Sequence, residues 1–104
     1  MIKIVKENEF NSEIKDGVVV VDFFADWCCP CKMLAPIFEE LESEMKEKVK
    51  FVKVDVDDST GVAHEYDITN IPSIVIFKDG EKKEKLVGFR PKENLKVEIE
   101  SFLK

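Results

Sequence analysis

Residues 18–25 read Val-Val-Val-Val-Asp-Phe-Phe-Ala, an apolar run of β-branched and aromatic side chains broken by one charge. Alternation along a strand sends side chains to both faces of a sheet, so a strand of this composition needs cover on both. It predicts a central strand between two helical layers. A chain of 104 residues, 44% hydrophobic and with eight phenylalanines, has enough apolar material to build them.

The rest of the pattern alternates to match. Residues 2–5 predict a short strand and 7–15 a short amphipathic helix, with Phe10 and Ile14 four apart and Gly17 ending it. In residues 30–48 Met33, Leu34, Ile37, Phe38, Leu41 and Met45 recur at helical spacing. Pro30 suits the first turn of that helix, and Pro36 is expected to kink it. Further on come a strand at 49–56, a helix at 59–66, strands at 73–77 and 85–89 around an Asp79-Gly80 turn, and a closing helix at 91–102. The order βαβαβαββα predicts an α/β fold: a central mixed sheet, parallel in the middle and antiparallel at one edge, with helices on both faces. No linker, repeat or low-complexity stretch divides it, so residues 1–104 are expected to form one domain.

Every cysteine lies within four residues, in Trp27-Cys28-Cys29-Pro30-Cys31-Lys32, at the junction of the apolar strand and the long helix. On helical geometry the Cα atoms of Cys28 and Cys31 would stand about 5 Å apart, inside the disulfide range. Cys28 and Cys29 are held about 3.8 Å apart by their peptide bond, and residues two apart on a helix point to nearly opposite sides. Cys28–Cys31 is therefore the favoured bridge and Cys29 the odd thiol. So short a loop restrains little, which assigns the pair to chemistry and leaves stability to packing. Disulfide exchange needs an attacking thiolate and a resolving thiol. Cys28, ahead of the helix, is expected to be the exposed attacker, and Cys31, one turn in, the buried resolver.

Sixteen basic and twenty-two acidic side chains give a net charge of −6, which argues against nucleic acid or an anionic membrane as partner. The first residues lack the apolar run of a secretory signal, and no run approaches the ~18 residues of a membrane helix. A cytoplasmic location is the expectation.

Asp22 is the lone charge of the central strand, six residues before Cys28. Burial would raise its pKa and fit it to exchange a proton with Cys31, whereas a partly wet strand-end aspartate would only hold a structural hydrogen bond. Lys53, on the neighbouring strand, either approaches Asp22 and lowers that pKa or is simply solvated. Trp27 is a substrate platform or core, and Pro72 an ordinary strand-start proline or a cis one.

Residues 21–32, Val-Asp-Phe-Phe-Ala-Asp-Trp-Cys-Cys-Pro-Cys-Lys, resemble the active-site segment of the thioredoxin family, usually written WCGPCK. Asn70-Ile71-Pro72-Ser73 resembles its cis-proline loop, and Val87-Gly88 its glycine beside the substrate groove. The resemblance covers the whole chain in length and element order. It implies a thioredoxin fold and a protein disulfide reductase with Cys28 as nucleophile, Cys31 as resolving thiol, Asp22 as buried proton carrier, Lys53 as its neighbour, and Pro72 cis. Trp27, Ile71, Pro72 and Gly88 would line a shallow apolar groove for an extended substrate. It further implies no cofactor beyond the Cys28–Cys31 disulfide, a flavin- or ferredoxin-dependent thioredoxin reductase upstream, and peroxiredoxin-type or reductase enzymes as downstream clients. A monomer is expected.

Cys29 departs from the family, occupying its usual glycine position. With Pro30 it modifies the redox pair: as a tolerated substitution that shifts the potential, as a thiol open to alternative disulfides or dimer cross-links, or as a metal or iron–sulfur ligand. A Cys3His zinc set with His64 is the rival outside redox chemistry, disfavoured because three sulfurs within four residues converge poorly on one ion. A redox-inert interaction domain would have no need of both cysteines and Asp22, and a Cys-His hydrolase lacks an orienting partner for the sole histidine.

Overall fold

In a computed structural model, which describes residues 2–104, the strand expected at 18–25 is β2 (Val18–Phe24), and all seven of its residues are buried. It runs parallel to β3 (Val49–Asp55), with Val18 opposite Val49 and Phe24 opposite Asp55. On its other side it runs antiparallel to β4 (Ser73–Lys78), with Val18 opposite Lys78 and Phe23 opposite Ser73. Adding β1 (Lys3–Ile4) and β5 (Glu81–Val87) gives a five-stranded mixed sheet in the order β1-β3-β2-β4-β5.

Antiparallel pairing thus reaches the central strand and is not confined to one edge. The connecting helices explain why. Between β2 and β3, α2 (Cys29–Met45) has 17 residues, about 26 Å at 1.5 Å per residue, which returns the chain along the whole strand. Between β3 and β4, α3 (Thr60–Glu65) has six, about 9 Å, less than half of the roughly 23 Å of a seven-residue strand. The chain therefore enters β4 at the Phe23 end of β2 and runs back.

Alternation along β2 feeds two cores. Val18 and Val20 pack with Leu34, Phe38, Leu41 and Met45 of α2 and with Leu95 and Ile99 of α4 (Lys92–Glu100). Val19, Val21 and Phe23 pack on the opposite face with Phe10 and Ile14 of α1 (Phe10–Ile14) and Val62 of α3. Phe10, Tyr66 and Phe77 meet there at ring separations of 5.2–5.7 Å, where tilted and edge-on contacts are favourable.

The boundaries move where local chemistry competes with periodicity. Residues Glu7–Glu9 form a 3-10 turn ahead of α1, so the first helix is shorter than its pattern. The long helix continues through the exposed Pro36, its buried stripe from Cys31 to Met45 holding it on the sheet. It ends at Met45, three residues early, in a turn closed by the Lys48 N–H on the Met45 carbonyl. The returning strand starts at Glu81 instead of residue 85. Asp79 and Gly80, with φ of 51° and 86°, make a two-residue turn that puts Glu81 directly opposite Lys78. The charged run 81–85 hides this strand from a hydrophobic pattern, yet its backbone pairs fully except at Lys83, where the register shifts into a bulge.

Candidate functional site

Three segments meet beyond the carboxyl end of β2: the start of α2, the loop entering β4, and the residues leaving β5. Cys28 is the N-cap of α2, with extended backbone (φ −90°, ψ 110°), and its Sγ accepts the Cys31 N–H at 3.2 Å. A disulfide joins Cys28 to Cys31 with the Cα atoms 5.2 Å apart, the separation that helical geometry predicts. Pro30 sits in the first turn, where no intrahelical bond is lost. Cys29 is a free, exposed thiol.

The expected contrast of an exposed Cys28 with a buried Cys31 is not found, since both are buried, at 5% and 4% exposure. The bridged sulfurs lie under Phe24 and Ala25 with Ile71 packed against them, and the Ile71 carbonyl oxygen is 3.7 Å from Cys28 Sγ. What separates the two cysteines is position: one precedes the helix, the other lies inside it.

The Ile71–Pro72 peptide is cis. The Pro72 carbonyl accepts the Gly88 N–H at 2.8 Å, and Ser73 Oγ donates to the Asn70 carbonyl at 2.6 Å, so the loop is tied on both sides. Gly88 has φ of +91° and nothing within 4 Å of where a Cβ would stand. Its backbone conformation, not lack of room, calls for glycine. Ile71, Pro72 and Gly88 are thereby joined to the cysteine pair in one cluster.

Trp27 is not core: it is 68% exposed, and its Nε1–H donates to Asp57 Oδ2 at 2.9 Å. Asp57 is itself fixed by its N–H on Asp55 Oδ1 at 2.9 Å. Sequence reasoning missed Asp57. The signal was available, because acidic residues 55, 57 and 58 cluster at the end of β3, and parallel pairing with β2 puts them at the same end as the cysteines.

Asp22 lies beneath, fully buried in β2, and neither carboxylate oxygen has a hydrogen-bond partner among the described residues. Loss of solvation pushes its pKa up from 3.8 to about 7, and the charge of Lys53 opposes this. Lys53 is the register partner of Asp22 on β3, but its Nζ sits over the Phe24 ring, 4.4 Å from the centroid, and makes no ion pair with the carboxylate. Its influence on Asp22 is through space. A cavity of about 130 Å³ between β2, β3 and α2 has Phe24, Cys31 and Lys53 among its walls.

Among the described residues no group of three or more His, Cys, Asp and Glu is placed to hold a metal ion. His64 is exposed on α3 and Cys29 on α2. Among the same residues no helix is long and apolar enough to cross a membrane.

Comparison with known proteins agrees with this geometry. The sequence model of the family described as Thioredoxin matches residues 1–101. A protein named Thioredoxin from Staphylococcus epidermidis is 46% identical over 99 residues, covering 95% of each chain. One of the same name from Staphylococcus aureus is 43% identical over 99 residues, again 95% of each.

In the unfolded chain the Asp22 carboxyl returns to its ordinary value near 3.8, while in the folded chain it titrates at about 7. Between those values the folded state binds the proton more tightly. Stability should therefore fall as pH rises from about 4 to 7 and stay lowered above, by on the order of 4 kcal/mol. Asp22→Asn cannot ionise, so its stability relative to the parent should rise by a few kcal/mol between pH 4 and pH 8 in urea titrations. A difference that does not change with pH would show the carboxylate to be well solvated.

Asp57→Ala should release the indole of Trp27, the sole tryptophan, and lower its time-resolved fluorescence anisotropy. Loss of this exposed hydrogen bond should reduce stability by no more than about 1.5 kcal/mol. Unchanged anisotropy would mean that Asp57 does not hold the ring.

Proposed function

The chain belongs to the thioredoxin family, and on that premise we propose a division of labour in which Cys28 attacks, Cys31 resolves and Asp22 moves the proton. The overall activity is thioredoxin-like disulfide reduction by the Cys28–Cys31 pair, with no cofactor beyond that disulfide. The observation that carries the assignment is the cap of α2: Cys28 Sγ receives the Cys31 N–H at the start of a 17-residue helix.

An N–H donor and the positive end of the helix dipole both favour a thiolate at Cys28, the dipole by about 0.3–1 kcal/mol. A pKa lower by one would raise the thiolate fraction at pH 7 about eightfold from that of an ordinary thiol. Nucleophilicity would drop about threefold, leaving a net gain of roughly threefold. Cys28 then displaces one sulfur of a client disulfide as thiolate and forms a mixed disulfide. Cys31 loses its proton to Asp22 and attacks Cys28 Sγ, which releases the second client sulfur and leaves the protein oxidised by two electrons. Asp22 suits this step because a carboxyl titrating at about 7 can accept a proton and return it to solvent near neutral pH. Lys53, across the sheet, favours the charged form of Asp22.

Trp27, Ile71, Pro72 and Gly88 form the groove that takes an extended client segment beside the disulfide. Cys29, exposed at the start of α2 beside Pro30, shifts the potential of the pair without joining the exchange. The family implies a reductase and disulfide-bearing clients as partners. A flavin- or ferredoxin-dependent reductase, clients of the peroxiredoxin or reductase type, a cytoplasmic location and action as a monomer of one domain complete the proposal.

The test is a trap. Cys31→Ser should accumulate a mixed disulfide that mass mapping places on Cys28, whereas capture on Cys29 would overturn the roles. Asp22→Asn should slow resolution by about tenfold or more at pH 7 and attack by less than about twofold. Equal slowing of both steps would remove Asp22 from proton transfer.

A further inference from the structure

Of the five buried residues that open β4, Ser73 to Phe77, four are apolar and one is a serine. Apolar β-branched residues suit a strand covered on both faces, and a buried hydroxyl is costly unless it is bonded. Ser73, 1% exposed, makes its bond outside the sheet, where its Oγ donates to the Asn70 carbonyl at 2.6 Å. Neither packing nor strand pairing calls for that bond.

Its effect falls on the segment between. Pro72 has no N–H to give to its own loop, so the carbonyls of Asn70 and Pro72 are fixed from elsewhere. The Ser73 hydroxyl holds the first, and the Gly88 N–H holds the second at 2.8 Å. Ile71, between these two anchors, packs on Phe24, Ala25, Cys28 and Cys31, and its carbonyl oxygen stands 3.7 Å from Cys28 Sγ. This packing helps to leave the two cysteines only 5% and 4% exposed, although Cys28 lies ahead of its helix.

We infer that Ser73 is a positioning residue for re-reduction of the pair: its hydroxyl holds Ile71 over the Cys28–Cys31 disulfide and limits attack by reductants too small to displace that segment. In re-reduction a dithiol gives up two electrons and two protons and becomes a disulfide, while the Cys28–Cys31 bond breaks to two thiols. Attack needs access to a sulfur of the bridge, so the rate follows the fraction of time for which the cover is lifted. Asn70 is exposed. Without the hydroxyl, water takes its carbonyl, and the loop can move off the sulfurs with no buried group left unpaired. The inference goes beyond the roles proposed above and rests only on the disulfide, whichever cysteine attacks a client.

The experiment times reduction of the oxidised full chain by tris(2-carboxyethyl)phosphine at pH 7, followed by alkylation and mass mapping of Cys28 and Cys31. The phosphine attacks one sulfur and water completes the step, giving two thiols and one phosphine oxide. Ser73→Ala and Ser73→Val should each speed reduction about fivefold, the range that one net hydrogen bond controls. Ser73→Thr, which keeps the hydroxyl in nearly the volume of valine, should return the parent rate. Rates should stay constant up to about 1 M urea, because the motion exposes little surface. Equal rates for the Val and Thr variants would overturn the inference by assigning the effect to packing. Unchanged rates in the Ala and Val variants would overturn it by leaving the hydroxyl a structural role only, and an acceleration that climbs steeply with urea would do so by tracing reduction to global unfolding.

Discussion

The structure depends on a strand buried along its whole length, with five consecutive residues, 19–23, wholly cut off from water. All seven residues of β2 are buried, and because its side chains alternate, the chain must provide two apolar layers and hold them apart by one sheet. The α2 and α4 stripes fill one side, and α1 and α3 with the Phe10–Tyr66–Phe77 cluster fill the other. Short connections then fix the site. Four residues separate Phe24 from Cys29, so the first turn of α2 has to sit at the carboxyl end of β2. The same end receives the loop into β4, because α3 is too short to carry the chain anywhere else.

Placing a carboxylate in that strand sets stability against chemistry. Valine at position 22 would continue the run of its neighbours and lose no solvation energy. Aspartate there is left without a hydrogen-bond partner in the described chain and titrates near neutrality. An unpartnered buried acid is poor structural material, and the proton-transfer role proposed for Asp22 would account for its presence. Lys53 moderates the effect without cancelling it: its charge is near enough to be felt, and its ammonium rests on Phe24 instead of pairing with the acid.

Much of this was legible in the residues. Periodicity located the helices and the apolar strands, and cysteine spacing gave the pairing that the structure contains. The charge inside an apolar run singled out Asp22. The resemblance to a family, rather than any local rule, raised Pro72 from an ordinary strand-start proline to a cis one. Other features were hidden for physical reasons. The strand at Glu81–Val87 is specified by a left-handed two-residue turn and backbone pairing, neither of which leaves a hydrophobic pattern in residues 81–85. Burial of Cys28 comes in part from Ile71, forty-three residues away in sequence. The hold of Asp57 on Trp27 spans thirty, and only knowledge of which strands run parallel would have brought the two together.

The two edges of the sheet bear on the company such a molecule keeps. Proteins whose disulfides are open to attack are often partly unfolded, and unfolded segments readily add themselves to an exposed strand. Here β1 is two residues long, and β5 opens with five charged residues of mixed sign and has a bulge at Lys83. A sticky segment that arrives at the dithiol finds no ladder on which to zip up. Contact with each client can therefore stay local to the sulfur and brief, so that turnover does not end in coaggregation.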